Sequence, residues 1–251
     1  MVSIGIEIIP IQGMPLVEKE NDIPRLILDA IQVNGLELVA NDIIVVAHTL
    51  VSKAEGRVLD GTKVKASKRA IRIAKENGFD PVQVEIAIQE SKSILRENRA
   101  LITQLSNGHI CNFSGVDRSN APLGSYICLP IDPDESAKRI QSALEKATGV
   151  TLAVIISDTE GRPWRKGAVN LAIGCAGINA FKYNQGKPDL YGRILQHSLV
   201  CQIDEIAAAA ELVMGQANEG IPVVIVRGYE YEKGTEPANA VHRPMNENLF
   251  K

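Results

Sequence analysis

Carboxylate, hydroxyl and cationic side chains are concentrated in the segment SDTEGRPWRKG, residues 157–167, which follows the apolar run TLAVIIS. Asp158 and Thr159 supply a carboxylate and a hydroxyl, a pair that commonly holds a divalent ion beside nucleotide phosphates. The cationic side chains that follow are Arg162, Arg165 and Lys166. Such donors suit phosphate or carboxylate oxygens. We therefore predict an ion site at the end of a buried strand; the alternative is that Asp158 or Thr159 caps a helix in front of solvated bases.

A second polar cluster, GVDRSN at residues 115–120, combines carboxylate, guanidinium, hydroxyl and amide groups. Asp117 offers the hard anionic oxygen that Mg²⁺ or Mn²⁺ prefers, and Asn120 can both donate and accept hydrogen bonds. Aspartate, asparagine and serine also form turns by bonding their own backbone. The segment is therefore compatible with a metal site and with an ordinary turn.

Two further segments could contact phosphates. PIQGMPLV, residues 10–17, contains Gly13, which would let backbone amides approach a ligand closely, although the pattern also fits a plain Pro/Gly turn. HTLVSKAEGR, residues 48–57, places Lys53 and Arg57 four apart, so that both could project from one helical face. A lysine ammonium suits a phosphate chain, and a solvated helix start is the alternative.

The alanine-rich segment DEIAAAAELVMGQA, residues 204–217, is predicted to be a packing helix up to Met214. Gln216 falls at the end of that helix, where its amide could reach a metal-bound water or a phosphate. Trp164 and His197 carry no decisive pattern, because a lone histidine is more often a packed or surface residue than a ligand.

Composition excludes several classes of protein. The chain of 251 residues has 45% hydrophobic residues, a formal net charge of −3 and a pI near 5.9, which gives no basic field for nucleic acid or anionic membrane. No apolar stretch is long enough to span a membrane, and the first residues lack a signal-peptide pattern, so we expect a cytoplasmic protein. The widely spaced cysteines are expected to be reduced and buried, namely Cys111, Cys128, Cys175 and Cys201.

Apolar periodicity predicts strands and helices mixed throughout the chain, which indicates a mixed α/β (α+β) fold. Predicted strands cover residues 3–10, 42–51, 125–131, 151–157 and 221–228, and Asn107-Gly108 predicts a tight hairpin between residues 100 and 115. Predicted helices cover residues 24–35, 65–79, 81–95, 134–149 and 204–217, the fourth opened by Asp134 and Ser136. Residues 169–178 form a glycine-broken apolar segment, and the tail from Tyr229 is expected to be peripheral.

Several familiar catalytic motifs are absent from the sequence. It contains no GxxxxGK[ST] loop, no GxSxG, no HExxH and no GxGxxG after a strand. A nucleoside triphosphate would therefore not be held by a Walker-type loop. What remains is an oxygen-ligand metal and phosphate site assembled from loops that lie far apart in the chain.

The polar clusters, taken together, resemble one family. PIQGMPLV, VSKAEGR, GVDRSN, LPIDPDESA, SDTEGRPWRKG, AIGCAG, DLYGR, DEIAAAAELVMGQ and EGIPVVIVRG are similar, in this order and as far as about Gly228, to the coenzyme F420-0:L-glutamate ligases, also called F420-0 gamma-glutamyl ligases. Each segment alone is unspecific, but the combination is highly specific.

The resemblance implies an activity and an architecture. The family attaches L-glutamate to the deazaflavin precursor F420-0 and then a second glutamate through its γ-carboxylate, using GTP and Mg²⁺ or Mn²⁺, with K⁺ as a further candidate ion. It implies an unusual mixed-sheet fold that forms an intertwined homodimer, with the active site near the subunit interface. We expect one domain over residues 1–251, which could comprise two α/β lobes, without the flavin-reductase-like domain of some bacterial relatives.

The resemblance also implies roles for individual residues. Nucleotide contacts fall on the 12–15 turn and on three later segments, namely Gln12, Gly13, Met14, Pro15, His48, Thr49, Lys53 and Asn120. Metal contacts fall on Asp117, Asp158, Thr159 and Gln216. Catalysis falls on Lys53, Asp117 and Asp158, with Arg162 or Arg165 on the phosphates. Charge alone offers Lys166 or Arg193 as the glutamate-binding base.

Two alternatives stay open. The chain could be another nucleotide-dependent carboxylate–amine ligase or kinase on the same scaffold, or a noncatalytic module that binds nucleotide or metal. The substrates that the resemblance implies are F420-0, L-glutamate and GTP, without a nucleic acid or membrane partner.

Overall fold

A computed structural model of the chain describes residues 5–249. The strands in this part of the chain are β1 (Glu7–Pro10), β2 (Ile43–Ala47), β3 (Val58–Asp60), β4 (Ser93–Arg96), β5 (Ile102–Gln104), β6 (Ile110–Asn112), β7 (Ser125–Ile127), β8 (Ala153–Arg162), β9 (Arg165–Ala176), β10 (Phe181–Tyr183), β11 (Leu199–Cys201) and β12 (Val223–Arg227). The helices are α1 (Ile23–Val33), α2 (His48–Ala54), α3 (Lys68–Asn77), α4 (Pro81–Glu90), α5 (Pro133–Thr148) and α6 (Gln202–Met214). The mixed α/β fold predicted from the sequence is confirmed.

The central sheet has the strand order β1-β12-β2-β8-β9, with β2 and β8 parallel and the other pairs antiparallel. Its middle strands are apolar on both sides because helices cover both faces. Successive residues of β2 point to opposite sides: Ile44 and Val46 join the core under α1 and α5, whereas Ile43 and Val45 join the core under α6. This two-sided burial fixes the register that the site depends on.

Residues 57–128 form a smaller unit, here called the small-sheet region. It contains helices α3 and α4, and strands β4, β5 and β6 form an antiparallel three-stranded sheet. Their apolar side chains build a third core that includes Ile73, Ile86 and Leu101. The predicted hairpin is confirmed: β5 and β6 pair antiparallel around Asn107-Gly108, where Gly108 has a φ of 93°.

Most predicted elements are present, but several predicted boundaries are wrong. The helix predicted over residues 81–95 ends at Glu90, and its remainder turns into β4. The predicted strand after residue 42 stops at Ala47, where the buried helix α2 begins. Helix α5 is capped by Asp132, whose carboxylate accepts a hydrogen bond from the Glu135 amide at 3.0 Å, and not by the predicted Asp134.

The strand predicted over residues 151–157 continues to Arg162 and forms a long hairpin with β9. The predicted strand end at Ser157 is therefore wrong, because the segment after it stays paired to β9 through main-chain hydrogen bonds that the side-chain pattern does not reveal. The glycine-broken segment 169–178 is likewise mostly part of β9.

The tail from Tyr229 is not peripheral, contrary to the prediction. Tyr229 and Tyr231 pack against the core under α6, and Ala238 is buried. Main-chain and side-chain bonds attach the tail to the centre: the Ala238 amide donates to Asp134 at 3.0 Å and the Phe181 amide donates to Glu236 at 3.1 Å. The predicted strand over residues 3–10 is confirmed from Glu7; residues 3 and 4 lie outside the described part of the chain.

No helix within residues 5–249 combines the length and the hydropathy that crossing a membrane requires. The cysteines are free thiols; three are buried as predicted, and Cys201 is partly buried.

Candidate active site

The polar clusters predicted from the sequence converge on one cleft with a volume of approximately 1350 Å³. Its walls come from the carboxyl ends of β2 and β8, the loop after β6, the segment after α6 and the edge of the small-sheet region. Strand ends and the loops after them are where α/β proteins usually place ligands.

Asp158 and His48 form a buried pair at the base of the cleft. Strands β2 and β8 are parallel, with Ala47 opposite Ser157. The residues that follow these two in the chain, His48 at the start of α2 and Asp158 on β8, therefore become neighbours. The His48 Nε2 lies 3.2 Å from the Asp158 Oδ1, and the two side chains are 5% and 11% exposed.

The environment favours the ionised pair. Burial alone would raise the pKa of Asp158, but His48 and the Thr159 amide, which donates to the carboxylate at 2.6 Å, hold that pKa below its ordinary value. Burial would lower the pKa of His48, yet the charge of Asp158 and, more weakly, that of Asp117 raise it. A charged carboxylate is therefore fixed at the cleft base.

Asp117 lines the same cleft from the segment between β6 and β7. The turn that carries it has left-handed backbone at Phe113, Ser114 and Gly115, with φ of 50°, 54° and 68°. The Asp117 backbone then pairs with Ile127, and its carboxylate accepts hydrogen bonds from the Arg118 and Ser119 amides at 2.6 and 2.9 Å. Asp117 and Asp158 line the same cleft, and the charge of each raises the pKa of His48.

Thr159 and Gln216 meet beside this pair. The Thr159 hydroxyl donates to the Asn170 side-chain oxygen at 2.6 Å and accepts from the Gln216 amide at 2.8 Å. Gln216 follows Met214, the last residue of α6, and its amide also contacts the carboxylate of Glu211. Burial raises the pKa of Glu211. Glu211 is a third carboxylate at the site that the sequence analysis missed, because it lies inside an alanine-rich helix.

Lys53 and Thr49 line the same cleft on α2. Lys53 is half-buried, and burial lowers its pKa. The predicted common helical face of Lys53 and Arg57 is wrong, because α2 ends at Ala54 and the Arg57 guanidinium turns to the Leu129 carbonyl at 3.0 Å and to Glu90 at 2.5 Å.

Only part of the predicted nucleotide-binding turn at residues 12–15 lies in the cleft. Met14 and Pro15 line the cleft, whereas Gln12 and Gly13 do not. The Gln12 backbone is instead held by Asn34, whose amide donates to the Gln12 carbonyl at 2.9 Å. Gly13 has a φ of 74°, so its glycine is explained by the turn itself.

Only some of the remaining predicted site residues lie in the cleft. Asn120 and Arg162 line the cleft, but Arg165, Lys166 and Arg193 are exposed and lie outside its lining. The reason is the long hairpin: Arg165 and Lys166 begin the returning strand β9 beyond the turn at its tip, and Arg193 lies in the loop between β10 and β11. The cleft instead contains two arginines that the sequence analysis missed, Arg96 and Arg99.

A second buried ion pair follows Asp158 on the same strand. The Glu160 Oε1 lies 2.5 Å from the His109 Nε2, with the side chains 13% and 8% exposed. Burial would lower the pKa of His109, but Cys111 and Glu160 raise it to about 10. The ring of His242 lies 5.1 Å from that of His109, and burial together with the His109 charge lowers the pKa of His242 to about 4.

The donor set fits a hard divalent cation. It offers the carboxylates of Asp117 and Asp158 and the Thr159 hydroxyl, all oxygen donors, with Asp158 already charged. The Gln216 side chain turns its NH2 group to Thr159 and Glu211. No cluster of three or more histidine, cysteine, aspartate or glutamate side chains within residues 5–249 is arranged to hold a metal. The fit therefore rests on two carboxylates with neutral oxygens, a set that leaves room for nucleotide phosphates as further ligands.

Comparison with known proteins gives consistent matches. The family model described as F420-0:Gamma-glutamyl ligase matches residues 12–228. A protein of Methanothermobacter thermautotrophicus named Coenzyme F420:L-glutamate ligase is 47% identical, covering 98% of this chain and 99% of the relative. Proteins of the same name from Methanocaldococcus jannaschii and Methanopyrus kandleri are 46% and 40% identical, over 88% and 98% of this chain and 91% and 99% of the relatives.

Proposed function

The chain belongs to the F420-0:gamma-glutamyl ligase family, and on that premise we propose that it joins L-glutamate to coenzyme F420-0 with GTP as the source of energy. It is an enzyme, a ligase that forms amide bonds. The first glutamate is added through its α-amine to the carboxylate of F420-0, and a second is attached through a γ-linkage.

The observation that carries this proposal is that two aspartates from distant segments line one cleft with a buried histidine. Asp117 and Asp158 both line the cleft and both raise the pKa of His48. Two carboxylates held beside a half-buried lysine form an arrangement suited to a divalent ion and a phosphate chain.

The proposed reaction has two steps. A carboxylate does not react with an amine at neutral pH, so the terminal phosphate of GTP is first transferred to the carboxylate of F420-0, giving an acyl phosphate and GDP. The glutamate amine then attacks the acyl carbon, the amide bond forms, and inorganic phosphate and a proton leave. Phosphoryl transfer needs mainly positioning and neutralisation of charge.

Each residue of the cleft has a proposed part. Asp117, Asp158, Thr159 and Gln216 would hold Mg²⁺ or Mn²⁺, and the ion when bound neutralises charge on the transferred phosphate. Lys53 binds phosphate oxygens, while Met14, Pro15, Thr49 and Asn120 contact the nucleotide. His48 holds Asp158 in its charged form and orientation.

We propose that the enzyme works as a homodimer. Apolar side chains are exposed in the loop between β10 and β11, among them Leu190 and Tyr191, which are 101% and 97% exposed. Exposed apolar surface of this kind is usually covered by a partner. Molecular mass in solution, measured by light scattering, tests this proposal.

The direct test of function is release of GDP in the presence of Mg²⁺, GTP, F420-0 and L-glutamate, followed by mass spectrometry of the product. We expect glutamylated F420-0 and one GDP per glutamate, and no product when either substrate is left out. GDP release with a different acceptor acid in place of F420-0 would identify another carboxylate–amine ligase. Nucleotide binding without turnover would identify a noncatalytic binding module.

A further inference from the structure

The lining of the cleft includes three arginines that have no part in the proposed reaction, Arg96, Arg99 and Arg162, together with the apolar side chains of Ile102 and Ile110. This set is here called the arginine end. Its residues lie on or next to β4, β5 and β6 and at the end of β8, whereas Lys53 lies on α2 and residues 14–17 follow β1.

Strand register places part of the arginine end on one surface. Arg96 lies opposite Ile102 and Ile102 lies opposite Asn112 across the sheet β4-β5-β6. Ile110 lies opposite Gln104, two residues from Ile102, and therefore on the same face. A guanidinium is thus presented next to an apolar strip, a surface that suits a ligand with an anionic group on a short apolar stem.

The arginine end carries positive charge without internal compensation. Seven arginines of the described residues are held in ion pairs with aspartate or glutamate, namely Arg25, Arg57, Arg69, Arg72, Arg118, Arg139 and Arg227. Within residues 5–249, no carboxylate forms such a pair with Arg96, Arg99 or Arg162. Three unpaired arginines on one cleft make a local positive potential that attracts anions.

The hydrogen bonds that fix the Arg162 side chain leave its Nε–H group available to a ligand. Its guanidinium donates to the carbonyls of Lys166 and Gly167 at 3.2 and 3.4 Å, across the tip of the hairpin. Its Nε is buried and has no hydrogen-bond partner among the described residues. A buried donor left without a partner is costly, so a ligand that supplies an acceptor there gains binding free energy.

The arginine end lies within reach of the reaction centre. Arg162 follows Asp158 by four residues on β8, which corresponds to roughly 13 Å along an extended strand. That separation fits a substrate whose reacting group is at the aspartates and whose distal anionic group is held by the arginines.

We propose that the arginine end is the carboxylate-binding subsite for the substrates that are joined. This deepens the proposed function and rests on it, because an amide ligase of this type brings together two carboxylate-bearing molecules. Guanidinium groups bind carboxylates through paired hydrogen bonds. The bound group is a carboxylate of L-glutamate or an anionic group of F420-0 other than its reacting carboxylate, and the experiment below separates these two sources.

The test uses Arg96→Gln and Arg99→Gln in the full chain, each compared with Arg243→Gln. Arg243 is exposed, lies outside the cleft lining and has no ion pair with a described residue. Arg243→Gln therefore makes the same change in charge as the cleft variants, but outside the cleft. The KM for glutamate, for F420-0 and for GTP is measured by GDP release, with melting temperature as the check on folding. Calorimetric titration with L-glutamate adds a readout that does not require turnover.

We expect at least one of the two cleft variants to raise one KM by roughly tenfold to a hundredfold, the effect of losing a charged hydrogen bond. A raised KM for glutamate assigns the subsite to glutamate, and a raised KM for F420-0 assigns it to the acceptor. The KM for GTP is expected to stay unchanged, and Arg96→Lys is expected to recover part of the loss.

Two results would contradict the proposed carboxylate-binding subsite. One is an active enzyme in which both cleft variants leave the KM values for glutamate and F420-0 at the level of Arg243→Gln. The other is a rise in the KM for GTP alone, which would assign the arginines to the nucleotide. A wild-type chain that neither releases GDP nor binds glutamate would refute the proposed function itself.

Discussion

Two buried histidine–carboxylate pairs lie two residues apart on β8: His48 with Asp158, and His109 with Glu160. They are alike in chemistry and in exposure, since all four side chains are at most 13% exposed. They differ in what surrounds the histidine. His48 lies within the field of a second carboxylate, Asp117, whereas His109 is enclosed by Cys111 and the ring of His242.

On the strength of this difference, we propose an ion site at the first pair and expect the second pair to be structural. Two further charged groups of the cleft act on the first pair, the carboxylate of Asp117 and the ammonium of Lys53. Carboxylates beside a lysine suit a divalent ion next to a phosphate chain. The second pair is balanced, with one carboxylate and one histidine whose pKa is raised to about 10. A buried ion pair alone is therefore weak evidence of function, and the added carboxylate from a distant segment is what distinguishes the site.

The largest expected effect is the loss of activity in Asp158→Asn. Removing this charge takes away a proposed metal ligand, so kcat should fall by about a thousandfold or more. Asparagine can still accept a hydrogen bond, and the fold should remain intact by circular dichroism. The assay is GDP release with both substrates, and a variant with wild-type turnover would remove Asp158 from the mechanism.

The matched change in the second pair, Glu160→Gln, should act on stability. Breaking a buried pair leaves the His109 charge uncompensated, which costs roughly 3 kcal/mol in the free energy of unfolding. Denaturant unfolding measures this loss, and kcat should fall much less than in Asp158→Asn. Equal losses of turnover in the two variants would erase the distinction between the pairs.

A smaller effect is expected for His48→Gln. His48 contacts the carboxylate that would hold the ion, so the variant should weaken Mn²⁺ affinity or activity by roughly tenfold to a hundredfold. Glutamine keeps a donor near Asp158, and the loss should be smaller than in Asp158→Asn. Calorimetric titration with Mn²⁺ in the presence of GDP provides the measurement, and unchanged affinity would make His48 a packing residue.

The smallest expected effect is on the pH dependence of stability. Because the folded-state pKa of His109 lies above its ordinary value, the pair contributes its full stability below about pH 6.5 and loses it progressively as the pH rises towards 10. Urea unfolding of wild type and His109→Gln at several pH values isolates this contribution as a difference. The difference should shrink between pH 7 and 10, and a constant difference would contradict the raised pKa.

The main architecture could be predicted from the sequence because it depends on local patterns. Apolar runs bounded by glycine or asparagine give the central strands, and Asn107-Gly108 gives the hairpin. The extension of β8 to Arg162 could not be predicted, since its outer residues are charged and are held by pairing with β9 and not by burial. For the same reason the position of Arg165 and Lys166 outside the cleft lining could not be predicted.

The site was predictable only in part. Asp117, Asp158 and Gln216 lie in polar clusters that stand out in the sequence, and the structure brings them to one cleft. Glu211 lies within a helix of ordinary appearance, and Arg96 lies on a short strand that the sequence predicts as helix. Their positions at the cleft depend on how distant elements pack, which local patterns do not contain.

The most direct test of the central claim, that Asp117 and Asp158 bind one divalent ion beside the nucleotide, is titration of Mn²⁺ into the GDP-bound protein. We predict tight binding in the wild type and in Glu160→Gln, and strong loss in both Asp117→Asn and Asp158→Asn. Wild-type Mn²⁺ affinity in the two aspartate variants would contradict the claim.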